Sequence, residues 1–349
     1  MTTEGWLVLV LSAEGISLTI VFAAIVVHAV SAVTGDRRLQ RRMRVGRDLL
    51  LASLTGPVGV PVADDVIDRL ARLGRRTQIR LLAELAPSLE GEQRATLREL
   101  ATRLGLTARA ERRCRSRWWW RRLYATRLLT LIDGGENVMP ALIHDPHQLV
   151  RTQVAEWAVL HPDPAVLDAL VVLLDDKERI ARFAVQDTLL RIGQPAVPVL
   201  VRALATMGPL GIASGLLVAA RLGDPDLLPL ALSFADHEDP AVRAAAAEAL
   251  GGLGGDESVA VLGSLLGDPG MDVRREAARS LGRLQHWASA VSLLPLLGDP
   301  TWPVRRQSAL ALAAMGAPGL LILRTAVQGD DRFAADIASQ ALDAHGAPM

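Results

Sequence analysis

Three stretches of this chain repeat one another at a fixed spacing, and that repetition constrains the fold more than any other feature. Asp239 opens DPAVRAAAAEALGGLG, Asp268 opens DPGMDVRREAARSLGRL, and Asp299 opens DPTWPVRRQSALALAAMG. The Val-Arg pair returns at Val242-Arg243, Val273-Arg274 and Val304-Arg305, a step of 31 residues. Val150-Arg151 and Arg182 fall on the same frame, and one unit near Ala213 has lost its Arg while keeping the Leu222-Gly223-Asp224-Pro225 ending. A unit this short cannot bury its own apolar face, so stacking against copies of itself is obligatory.

Each part of the motif predicts a local structure. Asp reads as an N-cap, and the Pro after it suits a first helical turn, where a missing N–H loses nothing. Val, the following Ala positions and Leu share one helical face, and the small Ala residues let neighbouring helices approach closely. Gly after the Leu ends the helix. A second helix follows, as at Ser258 to Leu266 or Ala288 to Leu297, before the next Asp-Pro.

The D-P-x-x-V-R-x-x-A-x-x-A-L-G pattern resembles the HEAT family, specifically the short bacterial HEAT-like repeats found also in phycobilisome-lyase-type proteins. The resemblance covers His144 to the C-terminus, about 200 residues in six or seven units. It implies helix pairs stacked into a superhelix with the second helices lining a concave surface. It also implies that the recurrent Arg bonds a neighbouring Asp, making Arg151, Arg182, Arg243, Arg274 and Arg305 a structural ladder. Upstream, Val62 to Leu104 has helical spacing without the Asp-Pro signature, as divergent repeats or a helical cap would. Asp330 to Ala344 is polar enough to be a terminal capping repeat. The scarcity of aromatics and the abundance of Ala and Leu agree with helices over strands.

Residues Trp6 to Val33 are almost wholly apolar. A helix of that length spans roughly 40 Å, more than the ~30 Å hydrocarbon core of a bilayer. Arg37, Arg38, Arg41, Arg42, Arg44 and Arg47 follow it and no basic side chain precedes it. That polarity is the reverse of a cleaved leader, and it places the N-terminus outside and the remainder in the cytoplasm, as a single-pass protein of the inner membrane. Within the span, Glu14 reads either as a partner for another transmembrane helix or as a residue at the outer headgroups, and His28 reads as interfacial. Leu49 to Val62 is a second apolar run, too short to span and interrupted by Pro57 and Pro61. It starts the solenoid or lies on the membrane.

The formal net charge of zero hides an asymmetry. Asp36 to Arg127 carries 22 Arg against 10 acidic residues, a net of +12, whereas Leu128 onward carries 16 basic against 26 acidic residues, a net of −10. The basic part ends in RAERRCRSRWWWRRLYATR, from Arg109 to Arg127. Trp118, Trp119, Trp120, Arg121 and Arg122 combine the residue types that settle at lipid headgroups, so they predict contact with an anionic lipid surface or a partner, alongside Arg37, Arg38, Arg41 and Arg42. A packing role for one or two of the Trp is the alternative.

The expected architecture is therefore all-α: an anchor over 1–35, a basic linker over 36–61, divergent helical repeats over 62–117 and a repeat solenoid over 118–349. No catalytic motif is present. His144, Asp145, His147 and His161 could suggest a metal site, but they fall at inter-repeat loops, where the Asp-Pro is already explained as a cap, so metal binding is not expected. Cys114 is the only cysteine, so no intrachain disulfide and no cysteine zinc site can form. The expectation is a non-enzymatic, cofactor-free scaffold binding a membrane protein, with Glu14 and His28 toward that partner's transmembrane helices, and with neither nucleic acid nor a small-molecule substrate. Anchored HEAT proteins of this type look like companions of membrane enzymes such as processive glycosyltransferases. The competing expectation is a lyase-like or nucleic-acid-acting enzyme.

Overall fold

The computed structural model describes residues 40, 43–54 and 62–346. The expected anchor, with Glu14, His28, Arg37, Arg38, Arg41 and Arg42, lies outside the described residues. Among those described, no helix is long and apolar enough to cross a membrane, and every regular element is helical. The chain divides into two units, 1–115 with 127–135, and 116–126 with 136–349.

In the first unit, α1 covers 43–54, followed by α2 (Asp64–Ala71), α3 (Arg75–Leu85), α4 (Gly91–Arg103) and α5 (Leu106–Cys114). The described part of the 49–62 apolar run is built into this unit: Leu50 and Leu54 of α1 are buried, and Arg47 pairs with Glu84 of α3 at 3.2 Å. Gln78 is buried and donates to the Leu70 carbonyl at 3.0 Å, satisfying the end of α2. Arg103 of α4 reaches Asp64 and the Val62 carbonyl at the start of α2. Leu81, Leu97, Leu100, Leu129 and Ile132 are buried, and so is Cys114.

The chain passes between units within α6 (Trp119–Leu131). The second unit then alternates longer first helices with shorter second helices. The first helices are α7 (Gln148–Ala158), α9 (Arg179–Ile192), α11 (Pro209–Leu222), α13 (Pro240–Leu253), α15 (Met271–Leu284), α17 (Trp302–Ala314) and α19 (Arg332–Ala344). The second helices are α8 (Pro164–Val171), α10 (Val197–Leu204), α12 (Leu228–Ser233), α14 (Asp256–Leu265), α16 (Ala290–Leu293) and α18 (Ala317–Val327). Each of α11, α13 and α15 packs on the next first helix in line. This is an α-solenoid.

The motif explains the packing. Val242, Ala246, Ala249 and Leu250 of α13 are fully buried, as are Val273, Ala277 and Leu281 of α15, and Val304, Ser308 and Leu312 of α17. Two glycines mark where helices touch backbone to backbone. A Cβ on Gly252 would stand 2.1 Å from the Ala220 carbonyl oxygen, and one on Gly282 would stand 2.7 Å from the Ala311 Cα. Neighbouring units are also stitched by side chains: Thr188 donates to the Ala155 carbonyl at 3.1 Å and Ser280 to the Ala247 carbonyl at 2.8 Å, the same interval of 33 residues.

Candidate functional site

The recurrent Arg and Asp build one repeated device. Arg151 gives Nε and Nη2 to the two oxygens of Asp176, at 2.5 and 3.0 Å. Arg243 does the same to Asp268 at 2.7 and 3.0 Å, and Arg274 to Asp299 at 2.8 and 3.0 Å. In each case the carboxylate lies 25 residues on, in the following unit. A third donor, Nη1, is given to the carbonyl six residues back: Asp145, His237 and Asp268 respectively, at 2.7 to 2.9 Å. The carboxylate also accepts the backbone N–H two residues on, from Glu178, Gly270 and Thr301. Planar guanidinium and carboxylate meet fork to fork, so the bond fixes the angle between units as well as their distance.

These contacts set the ionisation of the pair. Burial opposes the charge on Asp268, but the Arg243 bonds, the Gly270 N–H and the nearby Arg243 and Arg274 charges outweigh it and hold the carboxyl below its ordinary range. Asp299 is held down in the same way by Arg274 and Thr301. Glu276 of α15 behaves oppositely: burial pushes its carboxyl up, against Arg279 and with Glu248 adding to the rise.

Two members of the expected ladder are arranged differently. Arg182 keeps the backward bond, to the Asp176 carbonyl at 2.6 Å, but the residue 25 positions on is Met207. Arg305 keeps the bond to the Asp299 carbonyl at 2.7 Å and lies over the Phe333 ring, 4.8 Å from its centroid. One member was not anticipated. Arg122, grouped by sequence with the exposed basic aromatic segment, binds Asp145 at 2.5 and 2.7 Å and the Ser116 carbonyl at 2.9 Å. Its side chain is 11 % exposed and that of Asp145 2 %, so Arg122 is a rung and not a surface cation. Its place 29 residues before Arg151, close to one repeat period, was the available signal.

The aromatic side chains of that segment are exposed. Trp118, Trp119 and Trp120 are 38, 37 and 49 % exposed, and Tyr124 is exposed beside them. Trp118 and Trp120 stack at 4.7 Å, and Trp120 meets Trp119 edge-on at 6.0 Å. Trp119 lies flat on His147 at 3.8 Å, and that ring's Nδ1 accepts the Leu149 N–H as the N-cap of α7. Arg117 sits 4.6 Å over Trp118, and Arg121 is exposed. Three large amphipathic rings are thus held in fixed geometry with cations beside them. Within the first unit, Arg109 is crowded by Arg75, with Arg113 and Arg112 nearby, and its guanidinium is held below the usual range. That unit therefore carries a concentrated positive field of its own.

The other sequence candidates have structural occupations. Asp145 is a rung and His147 a cap, while His161 stacks on the buried Trp157 at 4.2 Å. Among the described residues, no group of three or more His, Cys, Asp or Glu is arranged to hold a metal ion. Sequence reasoning did not anticipate a cavity of about 320 Å³ between α8, α10 and the start of α11. Asp168, Val172, Asp175, Arg202, Met207 and Gly208 are among its walls. Asp168 pairs with Arg202 at 2.7 Å, and Asp175 accepts the Gly211 N–H at 2.9 Å.

A family model described as HEAT repeats matches residues 136–209, 212–271 and 264–343. A search of curated proteins finds no match. Among solved structures, an engineered protein is 18 % identical over 89 % of this chain and 96 % of its own, with a TM-score of 0.40. The phycocyanin lyase complex of CpcE and CpcF from a Nostoc species is 19 % identical over 60 % of this chain and 94 % of its own, at 0.37. A chain from the complex in which Kap95p binds RanGDP is 11 % identical over 81 % of this chain, at 0.52. This chain spans about half of that one, 47 %, and the likeness is one of fold alone.

Proposed function

This chain belongs to the HEAT-repeat family, and from that premise we propose that it is a non-catalytic scaffold working at the cytoplasmic face of a membrane. Residues 1–35 tether it, the exposed aromatic and basic segment rests on anionic headgroups, and the solenoid holds a protein partner. The observation that carries the reading is the Trp118, Trp119 and Trp120 cluster. Isolated exposed apolar residues are ordinary on any protein, but three consecutive, mutually packed Trp with adjacent Arg match the chemistry of the headgroup layer. The apolar run from Trp6 to Val33 and the basic residues after it support the same side. The likenesses to the phycocyanin lyase and to human deoxyhypusine hydroxylase, at TM-scores of 0.37 and 0.30, lend no weight to a catalytic reading.

The test removes the tether and asks whether the surface binds by itself. The protein lacking residues 1–35 is expected to float with vesicles containing phosphatidylglycerol and to release in high salt. Replacing Trp118, Trp119 and Arg121 by Ala should cut the bound fraction at least fivefold. Arg122 is left in place because its loss would break a rung. If the protein lacking its tether ignores anionic vesicles, the headgroup contact is wrong.

A further inference from the structure

The ladder has a gap, and the gap has a defined chemistry. In four rungs, at Arg122, Arg151, Arg243 and Arg274, the guanidinium spends Nη1 on the carbonyl six residues back and Nε with Nη2 on a carboxylate of the next unit. Arg182 makes the first of these bonds, which orients its guanidinium as in the others. The second partner is missing because the rung position is Met207. The next position of the frame is altered too: Ile212 stands where the Arg would be, and His237 where its Asp would be. His237 instead accepts the Asp239 N–H through Nδ1 at 3.0 Å. The chain is thus relieved of one interaction on both sides of α11 and keeps Arg182.

Met207, the residue at the vacant rung position, is a wall of the 320 Å³ cavity. Arg182 is half-buried in the first turn of α9, a helix of 14 residues, where the peptide dipoles favour an incoming anion. Asp176 is paired with Arg151, Asp168 is paired with Arg202, and Asp175 accepts the Gly211 N–H. Ile180 and Phe183 on the same helix are large, apolar and exposed. A carboxylate flanked by aliphatic side chains matches this surface.

We propose that Arg182 is a docking point for an acidic side chain of a protein partner, which completes from outside the rung that Met207 leaves open. The segment that fills the position elsewhere in this chain shows what the partner presents. Leu265-Leu266-Gly267-Asp268-Pro269 and Leu296-Leu297-Gly298-Asp299-Pro300 supply the carboxylates of the Arg243 and Arg274 rungs. A turn of that type, apolar residues and then an acid, is the expected ligand. This rests on the solenoid's being a binding scaffold and names the chemistry of what it binds.

The probe is a fluorescent nonapeptide with the chain's own sequence Gly263 to Met271, GSLLGDPGM, alongside its Asn counterpart, GSLLGNPGM. Binding to the full chain in detergent is read by anisotropy. The Asp peptide is expected to bind at least tenfold more tightly than the Asn peptide. Arg182→Met should erase that difference. Met207→Asp should erase it as well, by supplying the carboxylate internally, and should raise the thermal midpoint. Equal binding of the two peptides, binding of neither, or unchanged discrimination in Met207→Asp overturns the proposal. So does displacement of the Asp peptide by phosphatidylglycerol vesicles through Arg182, which would make the ligand a lipid headgroup. Because no membrane is needed for peptide binding, Ala substitutions at Trp118 and Trp119 should leave it intact, and the two readings can fail separately.

Discussion

Asp268 accepts the Gly270 N–H and the Arg243 Nη2 with one oxygen and the Arg243 Nε with the other. The residue pattern assigned this Asp to capping, while the family resemblance implied that the recurrent Arg bonds a neighbouring Asp, and at Asp268 the structure shows that Arg bond. The α15 helix begins at Met271, with Gly270 as its N-cap. The same holds at Asp299, where α17 begins at Trp302 with Thr301 as N-cap. Asp239 and Asp331 are N-caps in the expected sense. The Asp-Pro dipeptide looks identical in the first three places, so the distinction is not legible locally. It depends on whether an Arg of the preceding unit arrives. Removing the carboxylate leaves a mostly buried guanidinium unpaired, so Asp268→Ala should destabilise by about 2–3 kcal/mol in urea unfolding. The pH dependence has a definite sign. The stability that Asp268 and Asp299 contribute is complete above the ordinary Asp pKa of about 3.9 and is lost as pH falls through their depressed values. Asp268→Asn should therefore flatten the acid limb of a stability profile. Glu276 acts in the other sense, because its raised pKa makes its contribution fall as pH rises above about 4.3 toward the folded value. Glu276→Gln should raise stability at pH 7, and urea midpoints measured from pH 3 to 8 would separate the two effects.

The first helices were readable because Val, Ala and Leu recur at helical spacing and bury one face. The second helices were less so. A continuous helix from Ala288 to Leu297 was expected, whereas the chain forms a 3₁₀ turn at Trp287–Ser289, then α16 at Ala290–Leu293, then another 3₁₀ segment at Leu294–Gly298. Pro295 cannot donate the i to i−4 bond and crowds the preceding turn, which favours the tighter winding. Helix contact distance was also beyond sequence reading, since a glycine required for packing looks like any other. The structure separates them. On Gly252 a Cβ would meet the backbone of Ala220, so Gly252→Ala should destabilise by about 1–3 kcal/mol. On Gly263 of α14 a Cβ would meet nothing within 4 Å, so Gly263→Ala should stabilise by roughly 0.5–1 kcal/mol through helix propensity. The same assay on both variants checks the contrast, and a shared sign would refute it.

The repeat region could be read as a stack from the 31-residue period, but how continuously the stack holds together depends on which contacts each unit makes. A contiguous buried core runs from Ile212 to Leu342, and two rungs lie inside it, Arg243–Asp268 and Arg274–Asp299. In a linear array stability is a sum over units and their interfaces, so α13, α15 and α17 should open last. Hydrogen exchange should show their amides as the slowest in the second unit, with α7 and α9 opening in a separate, faster step. The rungs also define what a unit is. The chain from Asp268 to Gly298 carries an Asp that receives from the unit before and an Arg that gives to the unit after. Its two ends therefore match any neighbour built the same way. Such a length can be duplicated or excised as a cassette, leaving every remaining junction complete. The gap at Met207, Ile212 and His237 has no such interchangeability. Copying it would multiply mismatched ends, so the array can grow or shrink on either side of α11 but must keep that position single.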